Sequence, residues 1–401
     1  MKFFHISDLH IGKQLYGYSL LADQEYVLAQ ILDMAKKEKP DALLVTGDIY
    51  DKPVPSSEAV QVFDRFLTEI SVACPAMQVM VIAGNHDAAR RIDYAKNLLC
   101  RQGIQIAGTP PQRPEDEMRR VTLTDEHGEI DFYLLPFFKP GNLRGVFTDE
   151  ENESYVNCSK EQGRSEYEIY LEALLAREQI NPEKRSVLLT HQFYLPGDGS
   201  VPEKAESEIH TVGTLDHISV HLLSAFDYVA MGHLHRPQKC GKDNFRYCGT
   251  PMPYSLSEEN DKKSITVVTM GKPGEDVKID LIPIKPLRGV RKLRGTVEEL
   301  IASAENAGDC ADDYVSLVVT DEQPGRYVRE QLGTYYTHIL EIRFDNRYMQ
   351  SLMDEEFSEG LSDDYFEMFR AFYEMRNGST MTEEETQIFA KLLDETKGGQ
   401  E

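Results

Sequence analysis

Five short apolar runs in this chain each break off onto side chains that bind ions or carry protons. Phe3 to Ile6 leads to Asp8 and His10, and Ala42 to Val45 leads to Gly47, Asp48 and Asp51. Val79 to Ile82 stops at Gly84, Asn85, His86 and Asp87. Val187 to Leu189 is followed by His191, and Tyr228 to Ala230 by Gly232, His233 and His235. Short, largely apolar runs of this length read as buried strands. Between them, Asp23 to Lys39 and Ser56 to Ile70 have helical spacing, and Ser56 is an N-cap after Pro53 and Pro55. The alternation predicts an α/β core. Strands sharing one direction would bring all five ends to one edge, where α/β sheets hold ligands.

The residue types at those ends have a chemistry in common. Asp8 and Asp48 offer carboxylates, His10, His191, His233 and His235 offer imidazoles, and Asn85 offers a neutral amide. The set suits two metal ions, and mixed nitrogen and oxygen donors favour Mn²⁺, Fe²⁺ or Zn²⁺ over Ca²⁺. A carboxylate can bridge two such ions, and a pair clamps the attacking and leaving oxygens of a phosphoryl transfer. Gly47, Gly84 and Gly232 let the backbone turn tightly beside the cluster.

The chain has 401 residues, which predicts two or three folded units. Its net charge of −25 opposes indiscriminate binding to polyanions, but metal ions and local basic segments can still hold phosphate. No stretch approaches the roughly 18 apolar residues of a membrane span. The first residues, MKFFHISDLH, lack the long apolar stretch of a signal peptide, so the expected location is cytoplasmic. Six cysteines without a CxxC spacing are expected to be reduced and mostly buried. No Walker A motif occurs, so nucleotide hydrolysis would have to come from elsewhere.

The rest of the chain changes character by segments. Val121 to Leu135 reads as two strands around a turn at residues 125–128, so part of the sheet is antiparallel. Residues 141–166 are polar and poor in pattern, and a mobile surface insertion is expected there. Ile265 to Met270 and Val277 to Ile282 resemble a hairpin, and a boundary is placed at 284. Residues 285–346 then form a small α+β unit, with helices at Val297 to Ala304 and Gly325 to Leu332 and strands at Tyr314 to Val319 and His338 to Phe344. Its entrance carries Lys285, Arg288, Arg291, Lys292 and Arg294 without an acidic residue, which is either solvated surface or a polyanion contact. Residues 347–401 hold Met353, Phe357, Tyr365, Met368, Phe369, Phe372 and Tyr373 at helical spacing. A break at Asn377-Gly378 and a second helix, Met381 to Leu393, capped by Thr382 and Glu385, follow. Two short helices cannot bury that much aromatic surface alone, so they dock on the body or on a partner.

The ordered set DxH, GDxxD, GNHD, a lone histidine after a strand, and GHxH resembles that of the calcineurin-like metallophosphoesterases. ISDLHIG, VTGDIYDKPVPS, VIAGNHD and MGHLHRPQ are similar to segments of the bacterial SbcD nuclease subunits within that superfamily. The resemblance implies a β-sandwich flanked by helices, a capping domain at 285–346 and C-terminal helices that bind an SbcC-type ATPase. It implies two divalent ions, Mn²⁺ above others, one held by Asp8, His10, Asp48 and His235 and the other by Asp48, Asn85, His191 and His233. It further implies that His86 binds no metal and acts on the transition-state phosphate or the leaving oxygen, with Asp87 orienting it. Asp51 stands where some relatives have histidine, and its place is open between a supporting role and the substrate side. The implied activity is 3′ to 5′ exonuclease on double-stranded DNA ends and endonuclease on single strands and hairpins. The implied assembly is two nuclease and two ATPase subunits. Ser56 to Ile70 and Ala88 to Arg101 are the candidate dimer helices.

Other histidines have plainer readings. His5 is expected in the core, His127 exposed at a turn and His338 structural. His210, His217 and His221 lie close together, and a second metal site there is the weaker reading. Three function classes remain open: a DNA nuclease subunit working with an ATPase, a stand-alone metallophosphatase or phosphodiesterase, and a non-catalytic scaffold. The intact ligand set opposes the third, and the accessory segments oppose the second.

Overall fold

The structure is a computed structural model that describes residues 1–197, 200–207, 217–322 and 327–345, with parts of 366–390. The chain divides into two compact units, residues 1–287 and 288–401.

The first unit is built on two six-stranded sheets. In one, β1 (Lys2–Ile6), β2 (Ala42–Thr46), β3 (Gln78–Ile82) and β4 (Ile104–Ala107) run parallel in that order. In the other, β5 (Arg119–Asp125) pairs antiparallel with β6 (Gly128–Leu135), and β7 (Arg185–His191) and β8 (Tyr228–Gly232) continue from β6 in parallel. Beyond β8 lie β9 (Gln238–Cys240) and β10 (Lys242–Tyr247), with β10 next to β8. The predicted hairpin is present as β11 (Ser264–Thr269) and β12 (Lys278–Pro283), and β11 adds to the free side of β1.

One core joins the sheets. Phe3, Leu44, Met80 and Ile82 of the first pack with Phe132, Leu134, Leu189, Tyr228 and Ala230 of the second, all essentially without exposure. Each of the Phe, Leu, Met and Ile side chains contributes about 1.5–3 kcal/mol on leaving water. Since alternate residues of β7 and β8 point to opposite faces, Leu188, Val229 and Met231 form a second core on the far side of that sheet.

Helix α1 (Leu21–Glu38) links β1 to β2, and α2 (Ser57–Ala73) links β2 to β3. The Ser56 hydroxyl accepts from the N–H of Ala59 at 3.2 Å, the predicted cap, and α2 buries Val62, Phe63, Phe66 and Ile70. The second candidate dimer helix is not continuous. Ala89–Ile92 and Lys96–Leu99 are separate short turns, because Ala95 adopts a left-handed conformation at φ 57°.

The expected insertion at 141–166 is instead ordered by helices α3 (Asp149–Gln162) and α4 (Glu166–Glu178). Its weak apolar pattern hid strong end signals. Thr148 and Glu151 form a capping box, three acidic residues follow in the first turn, and Gly163 closes the helix at φ 66°. Tyr170, Leu171 and Leu174 of α4 then cover the outer core of the second sheet.

In the second unit, β13 (Val290–Gly295), β14 (Tyr314–Val319) and β15 (His338–Phe344) form a parallel sheet. Helices α5 (Val297–Glu305) and α6 (Val328–Gly333) are the crossovers, packing Leu300, Val328 and Leu332 on Val315 and Leu317. The first strand was not predicted, since it lies inside the basic run and shows no period-two apolar pattern. There the aliphatic positions are Val290 and Leu293, and Arg291, Lys292 and Arg294 obscure them.

In the tail, Phe369 stacks on Phe389 with ring centroids 3.7 Å apart, and Thr382 and Glu385 form the predicted capping box. Met353, Phe357, Tyr365, Met368, Phe372 and the break at Asn377-Gly378 lie outside the described residues. All six cysteines are thiols outside any disulfide, but only Cys240 and Cys248 are buried, and Cys310 is exposed. Among the described residues, no helix is long and apolar enough to cross a membrane.

Candidate metal centre

The parallel register brings the ends of β1, β2 and β3 to one edge: Ile6 is opposite Val45, and Thr46 is opposite Ile82. In the facing sheet, His191 is opposite Gly232, so β7 and β8 end together as well. The loops after β1 and β2 then run side by side, with the N–H of Asp8 on the carbonyl of Gly47 at 3.0 Å and that of His10 on Asp48 at 2.9 Å. Asp8, His10 and Asp48 themselves have φ of 53°, 41° and 48°, and His233 has 100°. Non-glycine residues rarely adopt these values, and such strain gathers at functional sites.

All seven predicted metal-ligand residues converge at this edge. Asp48 Oδ2 lies 3.6 Å from His10 Nε2 and 3.4 Å from His191 Nε2. His10 Nε2 is 3.2 Å from His235 Nε2. Asn85 Oδ1 is 2.9 Å from His233 Nδ1 and 3.1 Å from His191 Nε2. The carboxylate of Asp8 accepts the N–H of His233 at 3.1 Å. Asp8, His10 and His235 form one group whose donor atoms all lie within 4.8 Å, and Asp8, Asp48 and His191 form another. The carbonyl of Thr46 takes Nδ1 of His191 at 2.7 Å, which leaves Nε2 directed at the cluster.

The three glycines have steric reasons here. A Cβ on Gly84 would fall on the carboxylate of Asp48, and one on Gly232 on the carbonyl of Thr46. Gly47 adds a conformational need, with φ 95°, and a Cβ there would fall on the ring of His191.

Burial sets the protonation of the group. It pulls His10 down to about 3, against the attraction of Asp48, and pulls His233 to about 3 with help from His191. His191 is the exception: burial would lower it, but Asp48 and then Asp8 raise it to about 9. Asp8 is pushed up to about 7 by burial and by Asp48. Burial also acts to raise Asp48, but the nearby histidines hold it well below the usual carboxylate range. Buried carboxylates beside neutral imidazoles with inward-facing nitrogens are a donor set for divalent ions.

The residues of the third motif divide their tasks. His86 is only partly buried, its N–H donates to Asp48 Oδ1 at 2.8 Å, and its Nδ1 meets the carbonyl of Asp51 at 2.9 Å. The His86 ring lies edge-on to His10 with centroids 4.8 Å apart, and its donor nitrogen falls in one group with His10 and Asp48. The expected contact from Asp87 to His86 is replaced by another arrangement. Asp87 accepts the backbone N–H groups of Gly84, Ile49 and Tyr50 at 2.9, 3.1 and 3.0 Å. It therefore clamps the loops that carry Asp48 and His86, and Asp51 orients the His86 ring. The Asp51 carboxylate pairs with Lys13 at 3.1 Å and lies 3.8 Å from His10 Nδ1, an atom without a hydrogen-bond partner among the described residues.

The remaining candidates sit elsewhere. His5 is a core residue bonded to Tyr228 and Thr46, both at 3.0 Å. His127 is half-buried rather than exposed, 3.4 Å from Glu126. His338 packs on Tyr314 and meets the carbonyl of Asp312 at 3.0 Å. His210 lies outside the described residues, and His217 and His221 join no metal-binding group among those described. In the basic run, Arg288 pairs with Asp312 at 2.8 Å, Arg291 with Asp313 at 3.0 Å, and Arg294 with Asp345. Lys285, Lys292 and Arg294 are exposed. Sequence reasoning missed Ser207, Glu258 and Lys263, which support His235 from behind. They lie in segments without a strand-end motif, and only burial distinguishes them.

The calcineurin-like phosphoesterase family model matches residues 1–237, the part of the chain that holds the whole cluster. The chain belongs to that family. A second model, the type 5 capsule protein repressor C-terminal domain, matches residues 285–377 of this phosphoesterase. Over 301 residues it is 28% identical to a protein of Staphylococcus epidermidis named as the SbcD component of the nuclease SbcCD, covering 75% of this chain and 74% of that one. The protein of the same name from Staphylococcus saprophyticus is also 28% identical, with 75% and 73% covered. A crystal structure of a dimetal phosphatase from Danio rerio aligns with TM-score 0.38 at 13% identity, over 71% of this chain and 99% of that one.

Proposed function

We propose that this phosphoesterase is the nuclease subunit of an SbcCD-type complex and hydrolyses DNA phosphodiester bonds at a two-metal centre. The observation that carries the reading is the position of Asp48, whose Oδ2 faces His10 on one side and His191 on the other. One metal is assigned to Asp8, His10, Asp48 and His235, and the other to Asp48, Asn85, His191 and His233, with Mn²⁺ as the ion. The fit rests on the donor set and on His191, anchored through Nδ1 so that Nε2 is presented inward. When bound, such ions lower the pKa of water and stabilise charge on the phosphate oxygens.

The chain's own groups then supply position and protons. His86, with Nδ1 held by the carbonyl of Asp51, has Nε2 available to the scissile phosphate or the leaving oxygen. Asp87 fixes the loops that set that ring's distance from Asp48. The relatives' printed name supports the nuclease reading; the finer activity proposed with it is 3′ to 5′ exonuclease on duplex ends and endonuclease on single strands and hairpins, in DNA repair and recombination. The tail beyond residue 346 is assigned to an SbcC-type ATPase, in a heterotetramer of two nuclease and two ATPase subunits. Dimerisation is assigned to α2 and to residues 88–101, where Val60, Tyr94 and Leu98 are exposed. Of the basic run, Lys285, Lys292 and Arg294 are the better DNA candidates by exposure, since Arg288 and Arg291 are less exposed. Six cysteines outside any disulfide agree with a reducing cytoplasm.

The test is hydrolysis of end-labelled duplex DNA with Mn²⁺, with Mg²⁺ and with chelator, beside His86→Ala and a generic phosphodiester. Mn²⁺-dependent shortening that the variant loses is the expected result. Turnover of the ester with intact DNA, even after the ATPase is added, would replace the nuclease reading with a phosphodiesterase one.

A further inference from the structure

The ring of His235 is held from outside the cluster by a chain of groups that no strand-end motif contains. Its Nδ1 lies 2.6 Å from the hydroxyl of Ser207, and that hydroxyl lies 2.7 Å from Oε1 of Glu258. Glu258 and Lys263 are both buried, with side-chain exposures of 0% and 2%, and their charged atoms are 2.6 Å apart. A buried carboxylate against a buried ammonium is ionised and can only accept. Ser207 therefore gives its single hydrogen to Glu258. Its oxygen must accept from the imidazole, so Nδ1 of His235 carries the hydrogen. The lone pair is then on Nε2, the nitrogen 3.2 Å from His10 Nε2.

Lys263 adds a second grip. Its ammonium donates to Glu258 at 2.6 Å, to Thr250 Oγ1 at 2.8 Å and to the carbonyl of His235 at 3.1 Å. Thr250 donates its own N–H to the same carbonyl at 3.0 Å. Both the ring and the backbone of His235 are thus tied to one buried ion pair.

We propose that Ser207, backed by Glu258 and Lys263, is a positioning residue that holds His235 in its Nδ1–H tautomer and so presents Nε2 to a divalent ion. This rests on the two-metal reading above. Partners that orient a ligand histidine in this way affect metal affinity about 10- to 100-fold when removed. Glu258 keeps Ser255, Thr250 and Lys263 as partners without the Ser207 hydroxyl, so Ser207→Ala should fold.

The experiment uses the full chain, metal-free and labelled with ¹⁵N-histidine. Long-range ¹H–¹⁵N correlation reads the tautomer of His235, assigned by its loss in His235→Gln. Mn²⁺ titration followed by electron paramagnetic resonance reads each binding step. Ser207→Ala should mix the tautomers and weaken one of two Mn²⁺ steps about 10- to 100-fold, with the other unchanged. Ser207→Thr, which keeps the hydroxyl, should restore both readouts. A wild-type tautomer or undiminished Mn²⁺ affinity in Ser207→Ala overturns the proposal. So does equal weakening of both steps that threonine does not repair. Absence of Mn²⁺ binding by the wild type would instead remove the metal reading, and the tautomer measurement would still decide the role of Ser207.

Discussion

Asp48 and His191 link the two sheets at the candidate centre. Oδ2 of Asp48, from the loop after β2, lies 3.4 Å from Nε2 of His191, the last residue of β7. Each partner moves the other: His191 lowers Asp48, and Asp48 raises His191 to about 9. The same oxygen lies 3.6 Å from His10. One carboxylate thus stands at the meeting point of both proposed metal positions.

Asp48→Ala should therefore remove both ions together. Metal content by mass spectrometry is expected to fall from two per chain to none, and hydrolysis with it. Retention of one tightly held ion would show that the carboxylate serves a single position.

His86→Ala should keep both ions and lose about 10²- to 10⁴-fold in turnover, the usual contribution of a positioned acid or base. Its nitrogen lies within 4.8 Å of donor atoms of His10 and Asp48, so a ligand role is the rival outcome. Loss of an ion from this variant would assign His86 to the metal.

Metal uptake should release protons. An ion competes with the proton on His191 up to about pH 9, and also with that on Asp8 below about pH 7. His10 and His233 are already neutral above about pH 3 and release none. Affinity should thus rise with pH through 9, more steeply below 7 than above it. Calorimetry in buffers of different ionisation enthalpy gives the proton count, and a flat profile between pH 6 and 9 would contradict this assignment.

Gly47→Ala should both strain the loop and displace His191. The φ of 95° and the clash at the ring predict a loss of roughly 1–3 kcal/mol in denaturant unfolding. Divalent-ion binding should weaken at the same time. A variant of unchanged stability and metal affinity would mean that the loop relaxes freely.

Truncation after residue 346 should leave Mn²⁺-dependent nuclease activity in place and abolish binding to the ATPase. Unchanged ATPase affinity in a pull-down would move that interface to another part of the chain.

Local pattern was enough to locate the strands that carry the cluster. The runs ending at Ile6, Val45, Ile82, Leu189 and Ala230 are legible as buried strands because they are short and largely apolar, a signal present in any short window. The donor residues after them were equally legible, since coordination chemistry depends on side-chain type. Helix α3 was missed because its stability comes from its ends, the Thr148–Glu151 box and Gly163, rather than from an apolar stripe. Strand β13 was missed because four of its six residues are basic or glycine and its two aliphatic residues, three apart, make no period-two pattern.

What sequence alone determined is which residues stand at strand ends and what chemistry they can perform. Only the tertiary structure decided which of them meet, because pairings such as Asp48 with His191 depend on two sheets packing face to face. It also decided the supporting roles. Asp87 clamps backbone, the carbonyl of Asp51 faces His86, and Ser207 connects His235 to a buried ion pair. Those roles follow from which polar groups lose water together on folding. The need to satisfy a buried donor or acceptor leaves no trace in the residues on either side of it.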